Sequence, residues 1–402
     1  MVDVAILNIG TELITGLRIN SNMATLSREI QRLGGTVHFG MAVADREEEI
    51  KKHISYALQD VKLVVTTGGL GPTRDDVTKE AIASVCNKRI IFSEDVWESI
   101  KAFIKSHRLT VDEEYVKRQA FIIEGSTLFP NRYGTAPGFA IKNGTKYILA
   151  LPGVPWEMES IWKEEVTSWW KSIFGESRYY TKVLHTSGLK ESEVSAKIKE
   201  VFSEHVGVLA SPGKVDIFVT GENKETVESI SEEISNRLKG YVFGCNEDPL
   251  ESVLGKLLRK KGLTLSTAES CTGGMLSHKI TNIPGSSDYF LGGVVSYHTS
   301  TKESLLKVSK GLIESHGVVS IEVAAAMAEG VKEIFKSDIG VGITGIAGPT
   351  GGNERTPVGT VCIAISFRET ISERHHFIGN RVKVKEWATN MALHKLWRTI
   401  NG

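Results

Sequence analysis

Short apolar runs alternate with amphipathic stretches from the start of the chain. Residues 2–8 (VDVAILN) form a near-continuous apolar run, the pattern of a strand buried on both faces. Met23, Leu26, Ile30 and Leu33 then recur at helical spacing, and Gly34-Gly35 supply a helix stop. Residues 36–43 (TVHFGMAV) read as a strand and 47–59 (EEEIKKHISYALQ) as a helix. In that helix acids lead and bases follow, as the helix dipole favours. Residues 61–69 (VKLVVTTGG) are another buried strand. Strands alternating with helices imply a parallel sheet covered on both faces.

The same rhythm returns near residue 250. Residues 250–262 are helical, 263–270 and 289–298 strand-like, and 321–335 helical with an apolar face. Residues 339–348 and 358–367 are strands, and 384–400 form a closing helix. Two further features belong to the first region. Residues 138–153 read as a hairpin turning at Asn143-Gly144. Residues 156–174 read as a long helix holding four of the seven tryptophans, expected to serve packing. Between the two regions, 175–250 carry 9 Lys/Arg against 13 Asp/Glu in a small α+β pattern. That balance, and the lack of a basic GxxG loop, argue against a nucleic-acid face. The expected fold class is α/β, with two α/β/α sandwich domains, 1–172 and 248–402, joined by a small α+β domain at 173–247.

Composition narrows the functional classes. Lys+Arg and Asp+Glu balance at 48 each, so no global field points to nucleic acid. No apolar run approaches the roughly 18 residues of a membrane span, and no basic-then-apolar leader opens the chain. The four cysteines lie far apart without CxxC spacing, which fits a reducing cytoplasm.

Three strand ends look built for ligands. In 66–83 (TTGGLGPTRDDVTKEAIA), Gly68, Gly69 and Gly71 let the backbone curve round a phosphate before a helix. Asp75 and Asp76 would repel a phosphate unless a divalent cation lay between; the competing reading is that one of them caps the helix. Gly10, Thr11 and Glu12 end one strand, and Pro152, Gly153 and Pro155 another.

A fourth turn suggests nucleophilic chemistry. In STAESCTGG, Ser270 stands where a strand becomes a helix, and Gly273 and Gly274 permit close approach. Serine needs a base, and no histidine sits in a telling motif. Tyr297 and Lys302 stand five apart after the next strand. A desolvated lysine can accept the proton, whereas a lysine opening a helix is ordinarily solvated. Cys271 is a competing nucleophile. The glycine-rich stretch 344–361, with Thr344 and Pro349, and Arg381 at the start of the last helix suggest a phosphorylated ligand; the competing reading of Arg381 is a surface helix residue.

These motifs resemble a known family over essentially the whole chain. IGTELITG, INSN, TTGGLGPTRDD and LPGVPWEM look like the MoaB/MogA-like (molybdopterin-binding-like) N-terminal domain of the competence/damage-inducible CinA family. AESCTGG, GGVVSY with the later lysine, VAAAMAEG, TGIAGP.GG and PVGTV look like its PncC-type C-terminal domain. The middle segment resembles the family's KH-like domain. For the first domain, the resemblance implies hydrolysis of a pyrophosphate such as ADP-ribose with a divalent metal (Mg, Mn or Co). Gly10, Thr11, Gly68, Gly69, Gly71, Thr73, Pro152 and Gly153 would bind substrate there, and Glu12, Asp75 and Asp76 the metal.

For the last domain, the resemblance implies deamidation of nicotinamide mononucleotide to the nicotinate nucleotide and ammonia, without a cofactor. Ser270 would attack, with Lys302 and Tyr297 moving the proton. Cys271, Thr272, Gly273, Gly274, Thr344, Gly345, Ala347, Gly348 and Arg381 would bind the nucleotide. The resemblance favours Ser270 over Cys271. It also implies a homodimer; composition and charge point to a cytoplasmic protein without a membrane or nucleic-acid partner. Thr299, Thr356 and Lys385 depart from the family pattern and affect the binding details. The rival expectation is a non-enzymatic nucleotide- or cofactor-binding protein acting in competence or DNA damage.

Overall fold

The computed structural model describes residues 2–176, 179–246 and 248–401. Its contacts divide the chain between Tyr180 and Thr181, and each unit is a layered structure built on its own core.

In the first unit the apolar runs become a six-stranded sheet. Its order is Gly35–Val43, Val2–Ile9, Leu63–Thr67, Lys146–Leu151, Gly138–Asn143 and Thr127–Phe129. The first four strands are parallel. The last two join through antiparallel pairs, as the hairpin expected over 138–153 requires, and the sheet is mixed. The cause is the hairpin: Asn143 pairs with Lys146 across two residues, and Gly144 takes φ 62. A connection that tight can only reverse the chain. Alternate side chains of Val2–Ile9 feed two cores. Ala5, Leu7 and Ile9 pack with Ile50 and Ile54 of the helix Glu47–Asp60. Val4 and Ile6 pack with Leu26 and Ile30 of the helix Ser21–Arg32 and with Met158, Trp162 and Trp170.

The long tryptophan helix forms, with a π-helical stretch Trp162–Val166 in its middle. It continues to Phe174, so a boundary at 172 would cut its last turn. Trp162, Trp169 and Trp170 join the aromatic cluster, but Trp156 is 64% exposed and does not pack as expected.

In the second unit, Val206–Ser211, Lys214–Gly221, Tyr180–Ser187 and Val242–Cys245 form a four-stranded sheet with the helices Glu191–Ile198 and Lys224–Arg237. The linker expected around 245–252 includes Glu247, which lies outside the described residues. Beyond it stands a five-stranded sheet, ordered Phe290–Val295, Leu265–Glu269, Ile339–Gly345, Thr360–Ser366 and Thr370–His376. The first three strands are parallel and the last two antiparallel. Helices Leu250–Lys261, Met275–Thr281 and Arg381–Asn401 supply the core on one face, and Ile321–Phe335 the core on the other. The expected α/β/α sandwich is present in each unit, with a mixed sheet.

Candidate functional site

The first unit brings three of its strand-end loops together. Asn22 Nδ2 donates to Thr67 Oγ1 at 3.0 Å and to Gly153 O at 2.9 Å, and Thr67 Oγ1 donates to Pro152 O at 2.8 Å. Gly68 has φ 105, and a Cβ there would stand 2.1 Å from Ile9 O. Glycine is therefore demanded by both conformation and space. The cleft is lined by Glu12, Arg18, Asn20, Thr67, Gly153 and Pro155, among others. Gly10 and Thr11 stand beside it, tied by Gly10 N to Val43 O and Thr11 N to Asp45 Oδ2 at 2.7 Å.

The two aspartates behave differently from each other. Asp76 turns back on its own loop, accepting from Thr73 N at 2.8 Å and from the Thr73 hydroxyl. Its carboxylate lies over Gly71, 2.5 Å from where a Cβ would stand. Asp75 is exposed. Glu12 folds over Gly10. Among the described residues, no three His, Cys, Asp or Glu side chains are gathered to hold a metal ion. Glu12, Asp75 and Asp76 are thus not a preformed ligand set. Two cations that sequence reasoning passed over support this loop. Arg118 Nη1 donates to Thr73 O at 2.8 Å. Lys79 donates to Arg118 O at 3.1 Å, and burial pushes its ammonium down to about 8.

The second unit assembles a serine and a lysine. Leu265–Glu269 is wholly buried and delivers Ser270 at its carboxyl end. Ser270 N donates to Ile343 O at 2.9 Å, which fixes the serine's backbone to the neighbouring strand. Gly273 and Gly274 take φ 63 and 91, the left-handed values that let the chain enter the helix Met275–Thr281 at once. Lys302 lies in the short helix Thr299–Ser304 and is 1% exposed. Its Nζ is 3.0 Å from Ser270 Oγ and 2.6 Å from Ser296 O. Burial holds the Lys302 ammonium below its ordinary 10.5, because a low-polarity site disfavours the charged form.

Cys271 points the other way. It is packed into the core, and burial pushes its thiol up to about 12. A thiol in that state supplies little thiolate, so Cys271 is a packing residue beside the nucleophile. Thr272 is fully buried and its Oγ1 has no partner among the described residues. The Gly273 and Gly274 amides are committed to Ser270 O and Glu269 Oε2.

The remaining expected residues fall in two places. Arg381 Nη1 donates to Gly348 O at 2.7 Å and its Nη2 to the Tyr297 hydroxyl, so the helix start, the glycine-rich loop and Tyr297 meet. Tyr297 is 60% exposed and is engaged by Arg381. Its expected hydrogen-bond link to Ser270 or Lys302 does not form among the described residues. Thr344 is buried and donates to Val318 O at 2.9 Å, so its hydroxyl is taken up by the fold. Gly345 backs onto Cys271 Sγ, and Ala347 is buried. Lys385, one of the departures, lies with its Nζ 3.6 Å from the Cβ position of Gly273. It is one helical turn from Arg381 and shares its face.

Comparison with known proteins now has a frame. Residues 5–171 match the family described as "Probable molybdopterin binding domain", 181–244 the "Damage-inducible protein CinA KH domain", and 247–400 the "CinA C-terminal domain". A CinA-like protein of Dictyoglomus thermophilum is 38% identical over 98% of this chain and 98% of its own. The chain belongs to the CinA family. A second CinA-like relative, from Dictyoglomus turgidum, is 37% identical over 99% of this chain and 96% of its own. A solved competence or damage-inducible protein from Enterobacter asburiae is 33% identical, with a TM-score of 0.37, and spans 38% of this chain and 99% of its own.

In this CinA chain, sequence reasoning overlooked two residues of the serine–lysine site. One is Ser296, whose carbonyl orients Lys302. The other is Glu269, which is 0% exposed and accepts from Gly274 N, Leu276 N, Ser277 N and Ser277 Oγ. A signal existed: an acid closing a buried apolar strand demands partners.

Proposed function

We propose that the C-terminal domain is an amidohydrolase acting on nicotinamide mononucleotide, with Ser270 as nucleophile and Lys302 as base. The observation that carries this reading is the buried amine 3.0 Å from Ser270 Oγ. An amine held below its ordinary pKa is neutral more often and can take the serine proton.

The steps use groups of this chain. Ser270 gives its proton to Lys302 Nζ as Oγ bonds to the carboxamide carbon, and the carbonyl oxygen becomes an oxyanion facing the Cys271 and Thr272 amides. The oxyanion collapses, the C–N bond breaks, and the Lys302 ammonium protonates the leaving nitrogen, releasing ammonia. Water then attacks the ester while Lys302 takes its proton. The C–Oγ bond breaks, Ser270 regains a proton from Lys302, and the nicotinate nucleotide leaves. Arg381 and Lys385 supply positive charge for the 5′-phosphate, and exposed Tyr297 flanks the ring.

For the N-terminal unit we propose binding and hydrolysis of an ADP-ribose-type pyrophosphate, with Mg, Mn or Co as divalent metal. The glycine turn at 68–71 and its supporting cations favour phosphate. Glu12, Asp75 and Asp76 as arranged do not fit a resident ion, and no step is derived through one. That geometry favours a second reading for this unit alone, nucleotide binding without hydrolysis. ADP-ribose cleavage measured with and without chelator separates the two: metal-dependent product formation supports hydrolysis, and saturable binding with no product supports the second.

We further propose a cytoplasmic homodimer. Light scattering at working concentration tests the dimer. Among the described residues no helix is long and apolar enough to cross a membrane, and the four cysteines are free, as a reducing compartment favours. The test of the main reading is ammonia release from nicotinamide mononucleotide by the full chain. A wild-type protein that releases none would falsify the substrate assignment.

A further inference from the structure

Glu269 stands directly before the nucleophile and has no role in the chemistry above. It is fully buried, where a lone carboxylate would be costly. Four donors compensate it. Oε1 accepts from Ser277 N at 2.8 Å and Ser277 Oγ at 2.7 Å, and Oε2 from Gly274 N at 3.1 Å and Leu276 N at 3.0 Å. An ionised carboxylate offers about four lone-pair sites. All are used, so Glu269 has no capacity left to act as a base or to hold a ligand.

What it holds is the turn. Its side chain reaches across Ser270–Gly273 and fastens the start of the helix Met275–Thr281 to the end of the strand. Ser277 is itself braced by Thr267 Oγ1 at 2.8 Å. The backbone of Glu269 does a second job. Its carbonyl accepts from Ser296 N at 2.8 Å, the Ser296 carbonyl accepts from Lys302 Nζ at 2.6 Å, and Lys302 Nζ meets Ser270 Oγ at 3.0 Å. The path closes on itself at the peptide bond between Glu269 and Ser270. Glu269 also takes the Gly274 amide, which ties the end of the turn to the strand.

We infer that Glu269 is the positioning residue of this site: its carboxylate, through four donors on the far side of the turn, sets the Ser270–Lys302 distance. The inference rests on the serine–lysine amidohydrolase reading. Its test therefore uses one probe that depends on the substrate and one that does not.

The variants are Glu269→Gln and Ser277→Ala in the full chain. Glutamine keeps the shape but turns an amide donor toward donors. Misplacement of a reacting group by an ångström costs about a hundredfold. For Glu269→Gln we expect a loss of that order in kcat for ammonia release from nicotinamide mononucleotide, with KM changed less than about threefold. The rate at which a fluorophosphonate modifies Ser270, read by intact mass, is expected to fall in step. Ser277→Ala removes one donor of four and is expected to lose a few-fold in both rates.

A folded Glu269→Gln protein with both rates within about twofold of wild type overturns the inference, as does a loss confined to KM. If Glu269→Gln does not fold, Ser277→Ala decides: slower labelling at an unchanged thermal midpoint supports positioning, and wild-type labelling overturns it. If wild type releases no ammonia but its Ser270 is labelled faster than in the variants, the substrate reading fails and the positioning role stands. If wild-type Ser270 is not labelled at all, both fall.

Discussion

The glycine turn after Leu63–Thr67 and the one after Leu265–Glu269 start from the same design and end in different chemistry. Each follows a fully buried strand, uses left-handed glycines and has carboxylates close by. In the first unit Asp76 bonds to Thr73 within its own loop and Asp75 faces solvent. In the second, Glu269 bonds to the following helix, and a buried lysine meets a serine hydroxyl. Carboxylates in both turns hold backbone. Burial lowers the pKa of a lysine beside each turn, Lys79 and Lys302; what separates the sites is the partner, a backbone carbonyl for Lys79 and a hydroxyl for Lys302.

The largest effect is expected at the nucleophile. Ser270→Ala should abolish ammonia release in a discontinuous ammonia assay, a loss of at least about a thousandfold. Residual turnover above that level would move the nucleophile elsewhere and erase the contrast between the turns. Next comes Lys302→Met, expected to lower kcat by roughly 10²–10⁴-fold. In wild type, kcat should rise with pH through the lowered pKa of Lys302, and a kcat that nowhere rises with pH below the ordinary 10.5 would remove the base. The same variant sharpens the comparison through stability. The folded chain holds Lys302 below the 10.5 of the unfolded chain, so the unfolded state binds more protons in that interval. Wild-type stability should therefore rise relative to Lys302→Met as pH increases toward 10.5. Urea midpoints at two pH values measure this.

Smaller effects test the edges of each site. Arg381→Ala should raise KM for the nucleotide by roughly ten- to hundredfold, with a lesser change in kcat, because a charge-assisted phosphate contact contributes about 1.5–3 kcal/mol. In the first unit the two aspartates should separate. Asp76→Ala is expected to cost about 1 kcal/mol of stability, and Asp75→Ala to leave the melting point unchanged while reducing any metal-dependent cleavage of ADP-ribose. Equal melting points for the two variants would show that the Asp76–Thr73 contact does not hold the loop. A separate, pH-dependent effect is expected at His394, which burial pushes down to about 4. Its folded pKa lies below the ordinary 6.5, so the second unit should lose stability as pH falls from about 6.5 toward 4. His394→Gln should flatten that loss in an acid titration of unfolding.

Much of the second site was readable from order along the chain. Ser270, the two glycines after it, Lys302 and Arg381 stand in local patterns, and the structure brings Lys302 to Ser270 and Arg381 to Gly348. Less was readable where side chains choose among partners. Tyr297 was expected to serve Ser270 and instead meets Arg381. Thr344 was expected to bind a nucleotide and instead donates to Val318 O. Glu12, Asp75 and Asp76 share a region but no common point. A hydroxyl or carboxylate has several partners within reach of its loop, and spacing alone does not rank them.

Apolar runs and glycines by themselves determined the strands, their buried faces, the sharp turns and the layered α/β plan, because burial and left-handed backbone are local demands that a residue type either meets or does not. Only the tertiary structure decided that Lys302 loses its water, that Cys271 enters the core, and that Glu269 spends its carboxylate on a helix start. Those outcomes depend on which distant segments close over a side chain. The antiparallel edge of the second sheet belongs with them, whereas that of the first is already written in the Asn143-Gly144 turn.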